Sequence, residues 1–246
     1  MDSEHIVKSF DEELERLDST IAEMGGLAEA QLADALDALT RRDSELAHRV
    51  SERDARIDAL ERDVDDMTMK MLALRQPMAE DLRTVLAALK TASDLERVGD
   101  YARNMANRTL VLSQTRHIPE GSHTIHRMAI LVQGMIKNVL DSYIGRDAVL
   151  ANDVRVRDQE VDQLHNSLFR ELLTYMMEDP RNITTCTHLL FIAKNIERIG
   201  DHVTNIAEHI HMMVHGEAPD SDRPKSDRTS FTVVKSPTSG GEGVTS

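Results

Sequence analysis

Cysteine is almost missing from this 246-residue chain. Cys186 stands alone, so neither an intrachain disulfide nor a cysteine-built zinc site can form. Tryptophan is absent and aromatic residues reach only 3%. A core without them must be assembled from Leu, Ile, Val, Ala and the 13 methionines, an inventory suited to packed helices rather than sheets. The 6 prolines fall largely at breaks. No apolar run approaches the length of a bilayer span; residues 189–193 are among the longest. The opening Met1-Asp2-Ser3-Glu4-His5 has no basic stretch leading into an apolar one, so no signal peptide is expected and the chain reads as cytoplasmic. Cationic residues are in the minority, 29 Lys and Arg against 43 Asp and Glu, for a net charge of −14. That balance argues against nucleic acid, whose binding depends on neutralising phosphates. It suits cations, basic protein surfaces or plain solubility.

What is present is a duplication. Offsetting the chain by 104 residues superimposes Thr20 on Thr124, Ile21 on Ile125, Met24 on Met128, Arg42-Asp43 on Arg146-Asp147, Leu46-Ala47 on Leu150-Ala151, Arg53-Asp54 on Arg157-Asp158 and Asp58 on Asp162. An offset of 101 then superimposes Glu96-Arg97-Val98-Gly99-Asp100 on Glu197-Arg198-Ile199-Gly200-Asp201, and Asn104 on Asn205. Shared leucines could follow from helical periodicity alone; shared Arg, Asp, Gly and Asn in register could not. The change of offset belongs in a connection, marked by Pro77 and Pro180.

Each unit reads as three helices. In the first, Leu14, Leu17, Ile21, Met24, Ala28, Leu32, Ala35 and Leu39 recur at three- and four-residue steps along a helix from about Ser9 to Arg41. Asp43 and Asp147 stand where they can cap the following helix. The third helix of the first unit is expected to run from Pro77 to about Thr115, and those of the second to cover 123–144, 147–178 and 181–214. The fold expected is all-α: two tandem homologous three-helix bundles, at 1–118 and 119–215, packed side by side. Residues 216–246 turn to Asp, Ser, Pro, Gly and Thr without periodicity, the composition of a disordered tail.

The third helices carry the constellation with chemical content. Ile192, Ile196, Ile199, Val203, Ile206 and Ile210 form an apolar stripe, echoed by Leu95, Val98, Ala102 and Met105. At about 100° per residue, Glu96 and Asp100 fall on the side opposite Val98, one turn apart, and are expected to face away from the core. Asn104 extends that row; Glu197, Asp201 and Asn205 form its equivalent, lengthened by Glu208. Like charges so spaced repel. Arg97 and Arg198 could neutralise them laterally, which would make the rows ordinary solvated faces. A bound cation is the other solution. Carboxylate and amide oxygens without thiolates favour Mg²⁺, Ca²⁺ or Mn²⁺, with iron a further candidate. Gly99 and Gly200, inside helices, point to a close helix–helix approach.

Three rival readings bear on function. A carboxylate di-metal enzyme needs inward Glu-x-x-His pairs; Glu45/His48 and Glu208/His211 have that spacing, but the first pair is not duplicated. A nucleotide-dependent enzyme lacks its phosphate loop here. An ion-free scaffold docking its acidic rows on basic partners remains a direct competitor to the cation site.

The motif Glu-Arg-x-Gly-Asp-(Tyr/His)-x-x-Asn, at 96–104 and again at 197–205, together with Pro77-Met-Ala-Glu-Asp81-Leu-Arg83, resembles the PhoU family over about residues 1–215. The second unit departs from the pattern, since Asp179-Pro180-Arg181-Asn182 has no Asp-Leu-Arg equivalent. The resemblance implies a homodimeric, non-catalytic cytoplasmic regulator of phosphate uptake and starvation signalling, without an organic cofactor or membrane insertion. It implies partners in the ATPase subunit of the phosphate ABC transporter and in the sensor histidine kinase. It also implies metal at the Glu-x-x-x-Asp rows, hence at Glu96, Asp100, Glu197 and Asp201.

Overall fold

The computed structural model describes residues 2–115 and 122–219, with side chains placed for 9–115 and 123–219. In the described residues six helices follow one another: α1 (Asp2–Arg41), α2 (Ser44–Arg75), α3 (Ala79–Leu112), α4 (Ser122–Gly145), α5 (Ala148–Glu178) and α6 (Ile183–His215). A 3-10 turn at Pro180–Asn182 leads into α6. No strand occurs among the described residues. The boundary expected at 118/119 and the tail from 220 onward lie outside them. Helix α1 begins seven residues before the expected Ser9, because neither proline nor glycine interrupts positions 2–8.

The duplication extends to the backbone of the turns. Arg42 and Arg146 both adopt left-handed conformations, with φ of 56° and 52°. Beyond them the amides of Asp43 and Asp147 close back on the carbonyls of Ala38 and Ser142, at 2.9 and 3.0 Å. Asp43 then accepts from the Leu46 amide, and Asp147 from those of Val149 and Leu150, capping α2 and α5. A left-handed arginine is less comfortable than a glycine there. Each side chain offsets that cost elsewhere. Arg42 donates to the Leu112 carbonyl at 2.6 Å and to that of Thr115, at the negative end of α3. Arg146 pairs with Asp18 of α1 at 2.6 Å, tying the second unit to the first.

Helices α3 and α6 pack on each other along the middle of the molecule, with α1 and α4 also in mutual contact. Helix α2 packs on α1 and α3, and α5 on α4 and α6, as flanking elements. Buried side chains of both units join in one hydrophobic cluster, from Leu17, Ile21 and Met24 through Leu95 and Val98 to Ile196, Ile199 and Val203. Tyr143 is fully buried, and its hydroxyl donates to Asp18 at 2.8 Å.

Glycine sets the spacing at one crossing. A Cβ on Gly25 of α1 would fall 2.2 and 2.6 Å from the Leu140 methyls of α4 and 2.9 Å from Leu140 Cγ. A Cβ on Gly134, within α4, would meet nothing within 4 Å. Gly25→Ala is therefore expected to cost about 1–2 kcal/mol through overpacking net of helix propensity, while Gly134→Ala gains up to about 1 kcal/mol. Urea unfolding of the two variants checks this; equal effects of one sign would refute the crossing.

Candidate functional site

The acidic rows occupy the seams between each third helix and its flanking helix. In the first unit Glu96 and Asp100 keep 23% and 20% side-chain exposure. Charge from Asp58 and Glu61 of α2 reaches Glu96 along with that of Asp100. Burial, then the Asp100 carboxylate, pushes the Glu96 carboxyl above its ordinary range; Arg97 offsets only part of this. Glu61 is likewise raised, by burial and then by Asp65. Arg97 sits 3.4 Å from both Glu96 and Asp100, as lateral neutralisation requires.

Behind the row lies Asp54, 2% exposed on the buried face of α2 among Val50, Ile57 and Leu60. It accepts from Gln31 Nε2 at 2.9 Å and pairs with Arg103, which also meets Asp100 at 2.6 Å. Its carboxyl is raised, burial outweighing Gln31 and Arg103. Gly99 lets α3 approach this group: an added Cβ would lie 3.0 Å from Asp54 Oδ1 and 2.9 Å from Ile57. The second unit repeats the arrangement, with a Cβ on Gly200 falling 2.9 Å from Asp158 Oδ1. The close approach expected from the two in-helix glycines is thus present in both copies.

The outward orientation expected of the rows needs correction. Glu197 is 4% exposed and buried, with Oε2 2.8 Å from Lys194. The expectation treated each third helix as having one packed side, whereas α3 and α6 each have a flanking helix on one side and the opposite unit on another. The asparagines turn to that opposite unit. Asn205 donates to Asp94 of α3 at 3.3 Å, and Asn104 lines the corresponding cleft on the other side of the α3–α6 pair. Glu208 stays on the α5 side, 3.5 Å from the buried Arg155. Arg198 leaves its row and lies over the Tyr101 ring at 5.7 Å.

Sequence reasoning passed over the acids of the flanking helices. Asp54/Asp158 and Asp58/Asp162 were visible as identities of the duplication, but their signal is a carboxylate recurring at a buried helical position. His165, 3% exposed on α5, stands where the first unit has Glu61, so no repeat announces it. The inward Glu-x-x-His pairs of a di-metal enzyme are not formed: Glu45 and His48 are exposed, and His211 Nδ1 lies 3.1 Å from the Glu217 carbonyl.

The carboxylates are hard oxygen donors, and the first-unit set carries more negative charge than Arg97 balances. Their chemistry fits a divalent cation. Among the described residues, however, no group of three or more His, Cys, Asp or Glu side chains is gathered closely enough to hold one.

The PhoU domain family model matches this chain twice, at residues 21–109 and 125–210, one match in each three-helix unit. The chain belongs to the PhoU family. A phosphate-specific transport system accessory protein PhoU homolog of Caulobacter vibrioides (strain NA1000 / CB15N) is 51% identical over 225 residues, 92% of this chain and 98% of that protein. Its counterpart from Rhizobium meliloti (strain 1021) is 49% identical over 230 residues, 94% of this chain and 97% of its own length. Among solved structures, PhoU from Pseudomonas aeruginosa superimposes with a TM-score of 0.83 at 41% identity, covering 85% of this chain and all of that one. The phosphate transport system regulatory protein PhoU from Streptococcus pneumoniae gives 0.80 at 29% identity, covering 86% and 100%. The two PhoU-matching segments each hold one Glu-x-x-x-Asp row and its buried aspartate, so the site described above lies wholly within the family's domain. Among the described residues of this PhoU family member no helix is long and apolar enough to cross a membrane.

Proposed function

We propose that this chain is a non-catalytic accessory regulator of phosphate uptake. It acts in the cytoplasm as a homodimer, couples the ATPase subunit of the phosphate ABC transporter to the sensor histidine kinase, and holds the starvation response down when phosphate is ample. One observation carries the reading: near-full-length identity of about half to relatives named as accessory proteins of the phosphate-specific transport system. The only thiol, Cys186, is buried and pushed up by desolvation, which makes it a poor nucleophile. Affinity capture from phosphate-replete cells is expected to recover the transporter ATPase, and deletion of the gene to derepress starvation genes in rich phosphate. Normal repression in the deletion strain would overturn the reading.

A cation on the acidic rows is the second part of the proposal, favoured by the raised Glu96 and Glu61. Protein purified without chelator is expected to carry Mg²⁺, Ca²⁺, Mn²⁺ or iron, and to unfold at higher temperature with the metal added. Glu96→Gln/Asp100→Asn should lose the metal and the metal-dependent shift. It should also be more stable than the metal-free parent at neutral pH, because relieving like-charge crowding removes an unfavourable interaction. Unchanged metal content in the double variant would dismiss the site and leave the ion-free scaffold.

A further inference from the structure

The pseudo-symmetry of α3 and α6 creates two related clefts with opposite electrostatics. In one, Asp94 of α3 receives His202 at 2.7 Å, His209 at 2.9 Å and Asn205 at 3.3 Å, all from α6. The offset of 101 maps Asp94 onto Asn195, His202 onto Tyr101, Asn205 onto Asn104 and His209 onto Arg108. The second cleft, of about 520 Å³, is lined by those four residues and by Asn107, Phe191, Lys194 and Arg198. The central carboxylate has become an uncharged amide, while a histidine has become an arginine.

Two cations there lack an anion. Arg108 lies 4.0 Å over the Phe191 ring and Arg198 5.7 Å from that of Tyr101, and neither forms an ion pair among the described residues. Lys194 is held by Glu197 at 2.8 Å on the rim. Asn195 Nδ2 is buried without an acceptor, a costly state for an amide donor. Among the described residues no carboxylate lines the cleft, although the chain as a whole carries a net charge of −14. The slot that Asp94 fills from within on one side thus holds, on the other, a buried amide donor without an acceptor beside two guanidinium groups stacked on aromatic rings.

We propose that this Asn195-centred cleft binds a phosphoryl oxyanion, with Arg108 and Arg198 as its charged donors and Asn104, Asn107 and Asn195 as amide donors. Guanidinium forks match the oxygens of a phosphoryl group, and a dianion with several acceptor oxygens uses more of these donors than a carboxylate can. The volume admits either free phosphate or a nucleotide, and the half-exposed Phe191 ring offers a flat face to a base. The proposal stands on the cleft alone and is independent of the adaptor reading.

Calorimetric titration of the full chain in the presence of chelator, with inorganic phosphate and separately with ADP, tests it. Saturable binding is expected at about millimolar or tighter. Arg108→Gln should weaken it about tenfold or more. Asn195→Asp should abolish it by supplying the missing carboxylate from within, without lowering the urea midpoint. Arg127→Gln, paired with Glu160 on the exposed surface of α4 and α5 and outside the cleft, should leave it unchanged. ADP binding about tenfold tighter than phosphate assigns a nucleotide; equal or weaker ADP binding assigns free phosphate. Failure of both probes to saturate, or wild-type affinity in both Arg108→Gln and Asn195→Asp, overturns the proposal. Neither result touches the transporter capture that tests the adaptor function.

Discussion

Asp94→Ala is expected to lower the free energy of unfolding by about 3 kcal/mol at neutral pH. For a chain of this size that is roughly 6–12 °C in melting temperature. The side chain is 12% exposed and sits between the two units, where His202 Nδ1, His209 Nε2 and the Asn205 amide all address its oxygens. A carboxylate can only accept, so both imidazole nitrogens must be donors in these contacts. Removing Asp94 strands three donors at once, and leaving buried donors unmade costs more than the bonds contribute when formed. Asp94→Asn keeps one acceptor and should lose about half as much.

The pH dependence follows from the same contacts. Burial acts to raise the Asp94 carboxyl, but the hydrogen bonds from His202 and His209, the His209 charge and Asn205 prevail and hold it below its ordinary 3.8. A depressed carboxylate contributes stability that is fully present above the unfolded value. That contribution is lost as pH falls from about 3.8 through the lower folded value. The difference between wild type and Asp94→Ala should accordingly hold through the mildly acidic range, as far as Asp94 itself is concerned, and shrink below about pH 3.8. A difference under about 1 kcal/mol at pH 7, measured by urea unfolding, would show that the inter-unit contact is not formed in solution.

That contact was not legible in the sequence, and the reason is instructive. Helix existence, turn positions, the Asp43 and Asp147 caps and the repeat all depend on neighbours within a few residues or on one constant offset. They could be read directly. The face that α3 turns to α6 depends on how two bundles meet, and the apolar stripe constrains only the side facing its own bundle. Rotation relative to Val98 set Glu96 and Asp100 on the side away from it but could not reveal that α2 closes over them, nor that Glu197 would be buried beside Lys194. Asp94 and Asn195 differ between the copies, so a search for shared residues passes over both. The shared residues build the same turns, caps and close approaches in both units, whereas Asp94 and Asn195 give the two clefts between them opposite electrostatics.

Arg103→Ala probes the acidic seam itself. Asp54 is 2% exposed, and Arg103 is the cation paired with it. Breaking a buried pair from one side typically costs about 3–5 kcal/mol, because the remaining charge is left uncompensated. Arg103 is itself 34% exposed, which lets water take over part of its role, so about 2–3 kcal/mol is expected here. Without Arg103 the carboxyl of Asp54, already raised by burial and by the charges of Asp58 and Asp100, must rise further. A carboxyl raised in the folded state favours folding below its unfolded value and loses that contribution as pH rises through the folded value. The deficit of Arg103→Ala should therefore widen as pH rises through the folded value of wild-type Asp54, which lies above 3.8. Adding Asp54→Asn should recover most of it and remove the pH dependence, since an amide oxygen can still accept from Gln31. A deficit that stays constant with pH, or that Asp54→Asn fails to reduce, would mean that Arg103 stabilises α3 through packing alone. The seam could then not be treated as the charge-strained site on which the cation proposal depends.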